Sequence, residues 1–146
     1  MIFYNSTTNQ SKKLLEGKLA LIAPFLTKRN SYYNTEKEPD VTNNILPHHI
    51  IYSIRMEDFN GDKVIDSDDP SYLFISNKTG DNLRQVTPNG FHVLSWTVSK
   101  DKKTILVKAQ HDKNKNRKFG NGDDQVYYRI DLDDNISKIQ CIPLNL

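Results

Sequence analysis

Short segments in which apolar and polar residues alternate recur along this chain, and turn-forming residues separate them. In 49–56, every second residue from Ile50 to Met56 is apolar, with Ser53 and Arg55 on the opposite face. Further segments of the same kind lie at 72–77, 92–98, 104–109 and 126–131, and turn signals lie at 79–82, 88–90, 99–101 and 133–135. Because successive residues of a strand face opposite sides of a sheet, this pattern predicts an all-β protein with antiparallel sheets.

The pattern predicts one β-rich domain over residues 1–146. We expect an N-terminal strand at 1–5 and a long polar loop at 28–47, both within an N-terminal region that ends at residue 48. Two strand-rich units follow, at 49–91, ending in a strand at 83–87, and at 92–146, ending in a strand at 136–142. Helical periodicity is passable only at 11–19, where Gly17 interrupts it.

Composition excludes several classes of protein. With 20 basic and 18 acidic residues the net charge is +2, so no basic surface for nucleic acid is indicated. No apolar run approaches the ~18 residues of a transmembrane helix, so we expect no membrane span. Cys141 is the one cysteine, which rules out an internal disulfide and is most simply a small buried apolar residue.

An acidic loop with the spacing of a calcium-binding loop follows the strand predicted at 49–56. Calcium takes about six to eight oxygen ligands, and a 12-residue loop of the EF-hand type supplies them from alternate positions. Residues 58–69 carry oxygen side chains at positions 1, 3, 5, 9 and 12, with a main-chain carbonyl at position 7. The predicted ligands are Asp58, Asn60, Asp62, the carbonyl of Val64, Asp66 and Asp69.

A second loop of the same length recurs at 112–123, in the matching place of the second unit. Its predicted ligands are Asp112, Asn114, Asn116, the carbonyl of Lys118 and Asp123. Position 8 is apolar in both loops, as Ile65 and as Phe119. Only two of these side-chain ligands are carboxylates, so we expect the second loop to bind calcium more weakly, at about millimolar concentration, if it binds at all.

Both loops depart from a conventional EF-hand in three respects. Strands, not helices, are predicted on either side. Position 6, which needs a left-handed backbone and is normally Gly, is Lys63 in the first loop, at a cost of about 1 kcal/mol. The closing residue is Asp69, which is shorter than the usual Glu. The alternative interpretation is a pair of metal-free turns, because Asp, Asn and Gly are common turn residues.

Residues 95–105, Ser-Trp-Thr-Val-Ser-Lys-Asp-Lys-Lys-Thr-Ile, resemble the Trp-Ser-Pro-Asp-Gly-Lys-x-Ile signature of TolB-like (WD40-like) β-propeller blades. Lys100 and Lys102 stand where that signature has Pro and Gly. Residues 72–88 are similar to the end of such a blade, in which a strand turns at Gly80. The resemblance covers roughly 49–143 and implies blade-like repeats. It implies two to three blades, whereas closed propellers usually have about four or more. We therefore expect an incomplete propeller, an open stack, a homo-oligomer or a compact β-sandwich.

No catalytic motif accompanies these loops, since the chain lacks a nucleophile elbow, a phosphate loop, a His-Glu-x-x-His and a Cys-x-x-Cys. The adjacent His48 and His49 are expected to diverge on a strand and not to bind zinc. We therefore expect a non-catalytic calcium-binding module with a structural or protein-interaction role. One alternative is a calcium-dependent carbohydrate-binding module that uses Trp96, Tyr127 and Tyr128, and another is a metal-dependent hydrolase.

The expected partner is a protein or a glycan. Calcium-stabilised loops and the TolB-like resemblance both favour an exported protein in a bacterial periplasm or on a cell surface, with its signal outside this chain. A cytoplasmic location is the alternative.

Overall fold

The computed structural model describes residues 1–16, 20–25 and 46–145, and it is built from β-strands. The strands are β1 (Ile2–Asn5), β2 (Gln10–Lys13), β3 (Leu21–Phe25), β4 (His49–Arg55), β5 (Tyr72–Asn77), β6 (Arg84–Gln85), β7 (Phe91–Val98), β8 (Thr104–His111), β9 (Asp124–Asp131) and β10 (Gln140–Leu144). A short 3-10 helix spans Ile136–Lys138. No helix in these ranges is long and apolar enough to cross a membrane.

The strands form three antiparallel sheets. β1 and β2 make a hairpin, β3 to β6 make a four-stranded sheet in chain order, and β7 to β10 make a second one. This confirms the predicted all-β class with antiparallel, blade-like sheets, which in the described residues have two to four strands each. The first sheet takes β3 from the region before residue 49, so its strands are not confined to the predicted first unit.

One hydrophobic core lies between the two four-stranded sheets. The first sheet contributes Ile51, Leu73 and Ile75, and the second contributes residues such as Ile105 and Ile130. These β-branched and leucine side chains come from alternate strand positions, so one face of each sheet is apolar. The two sheets are therefore packed face to face.

The opposite face of the first sheet is also apolar, and the N-terminal hairpin covers it. Ile50, Tyr52 and Ile54 are buried there with Tyr72 and Phe74, and Leu14 and Phe3 pack against them. The side-chain alternation predicted for 49–56 and 72–77 is thus present, with both faces covered. In an antiparallel sheet with one face in solvent, about half of these residues would have been exposed to water.

The two faces of the second sheet separate the aromatic residues that could have formed a carbohydrate platform. Trp96 pairs with Val107 and packs against the central core, and Tyr128 is buried in the same core. Tyr127 pairs with Lys108 and Leu144, on the outward face. Because adjacent strand residues point to opposite faces, the three rings do not share one surface.

Several local details differ from the sequence prediction. The candidate helix at 11–19 begins as β2, because its residues pair with β1, and its residues 17–19 lie outside the described residues. The strand predicted at 136–142 is replaced by the 3-10 helix followed by β10, because Asn135 caps a helical turn there. Most of the loop predicted at 28–47 also lies outside the described residues.

Two further sequence expectations concern single side chains. His49 is buried and His48 is exposed, so the adjacent pair diverges as predicted. Cys141 is partly buried against the core, and this burial raises the pKa of its thiol to about 11. It therefore behaves as a small apolar residue whose thiolate is disfavoured.

Candidate metal site in two acidic loops

The two acidic loops occupy equivalent places in the two sheets. The first, 58–69, joins β4 to β5, and the second, 112–123, joins β8 to β9. Each therefore connects the second strand of its sheet to the third. Each loop joins two strands that pair with each other in antiparallel orientation. Strands and not helices therefore flank the loops, as predicted.

The carboxylate at position 1 accepts hydrogen bonds from the main chain of its own loop. Asp58 accepts from the N–H groups of Gly61 at 2.7 Å, Asp62 at 3.1 Å and Lys63 at 2.8 Å. In the second loop, Asp112 accepts from the main chain at positions 5 and 6, which are Asn116 at 3.1 Å and Arg117 at 2.9 Å. In each loop, the main chain thus turns around the carboxylate at position 1.

Positions 3 and 5 form the same turns in both loops. In the first loop, Asn60 Oδ1 accepts from the N–H of Asp62 and Asp62 Oδ1 accepts from the N–H of Val64, each at 2.8 Å. In the second loop the equivalent bonds are Asn116 N–H to Asn114 Oδ1 at 2.9 Å and Lys118 N–H to Asn116 Oδ1 at 2.8 Å. These are Asx turns, in which a side-chain oxygen accepts from the main chain two residues on.

The carboxylate at position 12 closes each loop by binding both of its ends. Asp69 Oδ1 accepts from the N–H of Phe59 at 2.8 Å, and its Oδ2 accepts from the N–H of Asp66 at 3.0 Å. Asp123 accepts in the same way from Lys113 at 3.2 Å and from Gly120 at 2.9 Å. Asp69 is 1% exposed and Asp123 is only half-buried. The first loop is therefore closed more tightly.

The backbone is left-handed at positions 4 and 6 of both loops. In the first loop φ is +84° at Gly61 and +72° at Lys63, and in the second it is +58° at Lys115 and +61° at Arg117. The left-handed backbone predicted at Lys63 is thus present. Non-glycine residues in this region cost about 1–2 kcal/mol each. Three such residues in two short loops indicate that the side-chain hydrogen bonds hold these turns.

The donors of the first loop fit a hard divalent cation. Carboxylate, amide and main-chain carbonyl oxygens are the ligands that calcium takes. Asp69 uses two of its roughly four lone-pair sites on main-chain N–H groups, which leaves the others for a cation. Among the described residues, no group of three or more His, Cys, Asp or Glu side chains is arranged to hold a metal ion. The predicted ligand sets are mixed, since they include Asn side chains and the carbonyls of Val64 and Lys118.

The charges of the two loops are opposite. Residues 58–69 contain five acidic side chains and one basic one, for a net charge of −4. Residues 112–123 contain two acidic and four basic side chains, for a net charge of +2. The first loop is therefore the stronger candidate for a cation.

The loops contact each other through aromatic side chains. The rings of Phe59 and Phe119 are stacked with 5.2 Å between centroids, and the ring of His92 lies 5.3 Å from that of Phe119. The guanidinium Nη1 of Arg117, in the second loop, lies beside Gly61 of the first loop. A cleft of about 220 Å³ at this contact is lined by Asn60 and Asp69 of the first loop and by Lys118 of the second.

His92 connects this contact to the end of the first loop. Its Nδ1 accepts a hydrogen bond from the N–H of Ser71 at 3.0 Å, two residues after the closing Asp69. Burial lowers the pKa of His92, and the positive charge of Arg55 lowers it further. The neutral imidazole that this bond requires is therefore the favoured form.

Three residues of this region were not assigned a role from the sequence: Phe59, His92 and Gln110. Gln110 is buried and its Nε2 donates to the carbonyl of Gly120 at 2.6 Å, which anchors the second loop to β8. A phenylalanine within a strongly polar loop was the available signal for Phe59, because such a ring is normally covered by a neighbour. Which neighbour covers it depends on how the two sheets pack.

Comparison with known proteins gives no match. No protein-family model matches the chain, and neither the curated proteins nor the solved structures include one with significant similarity to it.

Proposed function

We propose that this protein is a non-catalytic calcium-binding module in which bound calcium stabilises the loops of two blade-like sheets. Its role would be structural or would lie in binding another protein. The principal ion would occupy the first loop, held by Asp58, Asn60, Asp62, the carbonyl of Val64, Asp66 and Asp69. A weaker ion would occupy the second loop.

The observation that supports this proposal most is the equivalence of the two loops. Positions 1, 3, 5 and 12 accept hydrogen bonds from equivalent main-chain N–H groups in both loops. The N–H of position 12 also donates to the carbonyl of position 9 in each, at 3.4 Å and 3.3 Å. Two metal-free turns need not receive hydrogen bonds from equivalent main-chain N–H groups at four positions. A calcium loop needs these hydrogen bonds, because each inward oxygen must be held in place before the ion binds.

Electrostatics also supports an ion in the first loop. Five carboxylates within twelve residues repel one another at neutral pH. The folded loop keeps Asp69 buried, where that repulsion is least screened. A divalent cation would remove this cost, so that folding and ion binding stabilise each other.

Calcium binding is tested directly by titration calorimetry and by thermal unfolding with calcium and with chelator. At a calcium concentration of 100 times Kd, the expected gain in unfolding free energy is about 2.7 kcal/mol. The melting temperature should fall when chelator is added. Absence of heat up to millimolar calcium, together with an unchanged melting temperature, would contradict the proposal.

A pair of charge-matched variants locates the ion. Asp62→Asn removes a carboxylate predicted to bind the ion, and Asp68→Asn removes one from the same loop that is not a predicted ligand. We expect the first to weaken calcium binding about 10-fold or more, as loss of charged ligands does, and the second to change it about 2-fold or less. Equal effects would show that general loop charge, and not coordination, attracts the ion.

The same variants separate this role from catalysis. In a structural role, Asp62→Asn lowers stability in the presence of calcium towards that of the chelated protein. In a metal-dependent hydrolase it would abolish turnover with the fold intact. By analogy with the TolB-like resemblance of the sequence, the proposed setting is exported and rich in calcium.

A further inference from the structure

The ring of Phe119 joins the two acidic loops at the positions that carry their ligands. Phe119 follows Lys118 and precedes Gly120, whose N–H donates to the closing Asp123. It stacks on Phe59, which lies between Asp58 and Asn60. Neither ring is fully exposed, whereas most of their neighbours in the loops are. The stacked rings therefore directly connect the two loop segments that carry predicted metal ligands.

Both ends of the first loop are linked to this ring, the beginning by direct contact and the end through His92. At the beginning of the loop, Phe59 stacks on Phe119 and donates its own N–H to the closing Asp69. At the end of the loop, the N–H of Ser71 donates to His92, whose ring lies against Phe119. A movement of Phe119 would therefore disturb the beginning and the end of the first loop together.

We propose that Phe119 is a latch that makes the two loops one conformational unit, so that ordering either loop orders the other. Once one loop is fixed, the ring it presents is already positioned, and the second loop loses less conformational entropy on ordering. The opposite net charges of the ion-free loops also favour contact between them. If the loops bind calcium as proposed above, an ion in one loop raises the affinity of the other.

Hydrogen exchange in the presence of chelator tests the latch without relying on calcium. In Phe119→Ala, the amides of Phe59 and Asp66 should exchange about 2- to 12-fold faster, which corresponds to the coupling of an aromatic pair. These amides lie in the other loop and keep their hydrogen bonds to Asp69. Phe59→Ala should accelerate the amides of Lys113 and Gly120 in the same way. If Phe119→Ala does not fold, Phe119→Leu keeps an apolar side chain there and removes the ring.

Asn121→Ala is the matched control, because Asn121 is exposed in the same loop and lies outside the aromatic contact. It should leave the exchange of the first loop unchanged. Exchange that rises only in the loop carrying the substitution, for Phe119→Ala or Phe59→Ala, would overturn the latch.

The calcium consequence is tested by measuring the Kd of the weaker second loop in the wild type, where the first loop is already filled, and in Asp62→Asn/Asp66→Asn, which removes two carboxylate ligands of the first loop. We expect this Kd to be about 5-fold higher in the double variant, and the ratio to approach 1 when Phe59→Leu is present in both. A ratio of 1 in the wild-type background, or one unchanged by Phe59→Leu, would overturn the coupling. No ion binding in the wild type would instead refute the proposed function, while the exchange results still decide the latch.

Discussion

Asp69 is the residue on which the first loop depends most. Its side chain is 1% exposed, it accepts from two main-chain N–H groups, and its own carbonyl accepts from Arg55 Nε at 3.1 Å. Asp68, its neighbour in sequence, is exposed. The difference arises because position 12 lies where the loop returns to the sheet, so its carboxylate faces inward.

Replacing Asp69 should therefore destabilise the protein even without metal. Asp69→Ala leaves the N–H groups of Phe59 and Asp66 without their partner, and hydrogen bonds to a charged group are worth about 1.5–3 kcal/mol. We expect a loss of about 2–4 kcal/mol in urea unfolding with chelator present. Asp68→Ala should stay within about 0.5 kcal/mol. Equal losses in the two variants would mean that the Asp69 bonds contribute nothing to folding.

His49, which is buried, and His92, which is partly buried, should make stability depend on pH. Burial lowers the pKa of both His49 and His92 in the folded state, whereas the unfolded value is near 6.5. Their contribution is fully present above about pH 6.5 and is lost as pH falls towards the folded pKa values. The urea midpoint should thus be flat from pH 8 to 7 and decrease between pH 6.5 and 5.

The contribution of His92 can be isolated by substitution. His92→Asn keeps an acceptor for the N–H of Ser71 but does not titrate in this range, so part of the decrease below pH 6.5 should disappear. His48→Asn, at an exposed site in the same protein, provides the control. A profile in which His92→Asn retains the full decrease would assign the effect elsewhere.

At the scale of elements, a close contact at Gly80 helps to hold the N-terminal hairpin on the first sheet. Gly80, in the turn between β5 and β6, has φ +77°, and a Cβ there would lie 2.5 Å from the Phe3 ring. Lys12 of the hairpin also pairs with the exposed Asp81 of that turn. Only a glycine allows the ring to approach the turn this closely.

Gly80→Ala should displace the hairpin. Gly90→Ala is a matched control, because Gly90 has φ +78° but a methyl group added there would meet nothing within 4 Å. The control should cost only the strain of a left-handed alanine, about 1 kcal/mol. Gly80→Ala should cost about 1–3 kcal/mol more, as overpacking does. Urea unfolding measures both, and faster proteolysis of 1–16 in Gly80→Ala alone would confirm the displacement.

At the scale of the whole molecule, one core serves both four-stranded sheets. Ile75 from the first sheet and Ile105 from the second are fully buried in the same cluster. Neither sheet covers this face alone, so they should unfold together in one cooperative transition. Leu106, next to Ile105, is 47% exposed on the outer face of the second sheet.

Truncations on the two faces of β8 should differ sharply. Ile105→Ala should cost about 2–5 kcal/mol, whereas Leu106→Ala should cost about 0.5 kcal/mol or less. Trp96 fluorescence reports on the second sheet and far-ultraviolet circular dichroism reports on both. We expect their unfolding curves to coincide, and separate midpoints would show that the sheets fold independently.

The local features of this protein were predictable because they depend on residues close in sequence. Alternation of apolar residues predicted β4, β5, β7, β8 and β9, and the 12-residue spacing predicted where the loops turn. The left-handed backbone at Lys63 also follows from the loop alone, since the side chains of Asp58 and Asn60 hold it. β2 was missed because its four residues are all polar and carry no alternation, and only pairing with β1 makes them a strand.

The sequence by itself determined that the chain alternates strands with two oxygen-rich loops of matched length. Only the tertiary structure decided that β3 completes the first sheet, that Trp96 faces the core while Tyr127 faces outward, and that Phe119 meets Phe59 and His92. The physical reason is that alternation defines two faces of a strand without saying what each will meet. That choice depends on packing between residues far apart in sequence, which no local pattern encodes.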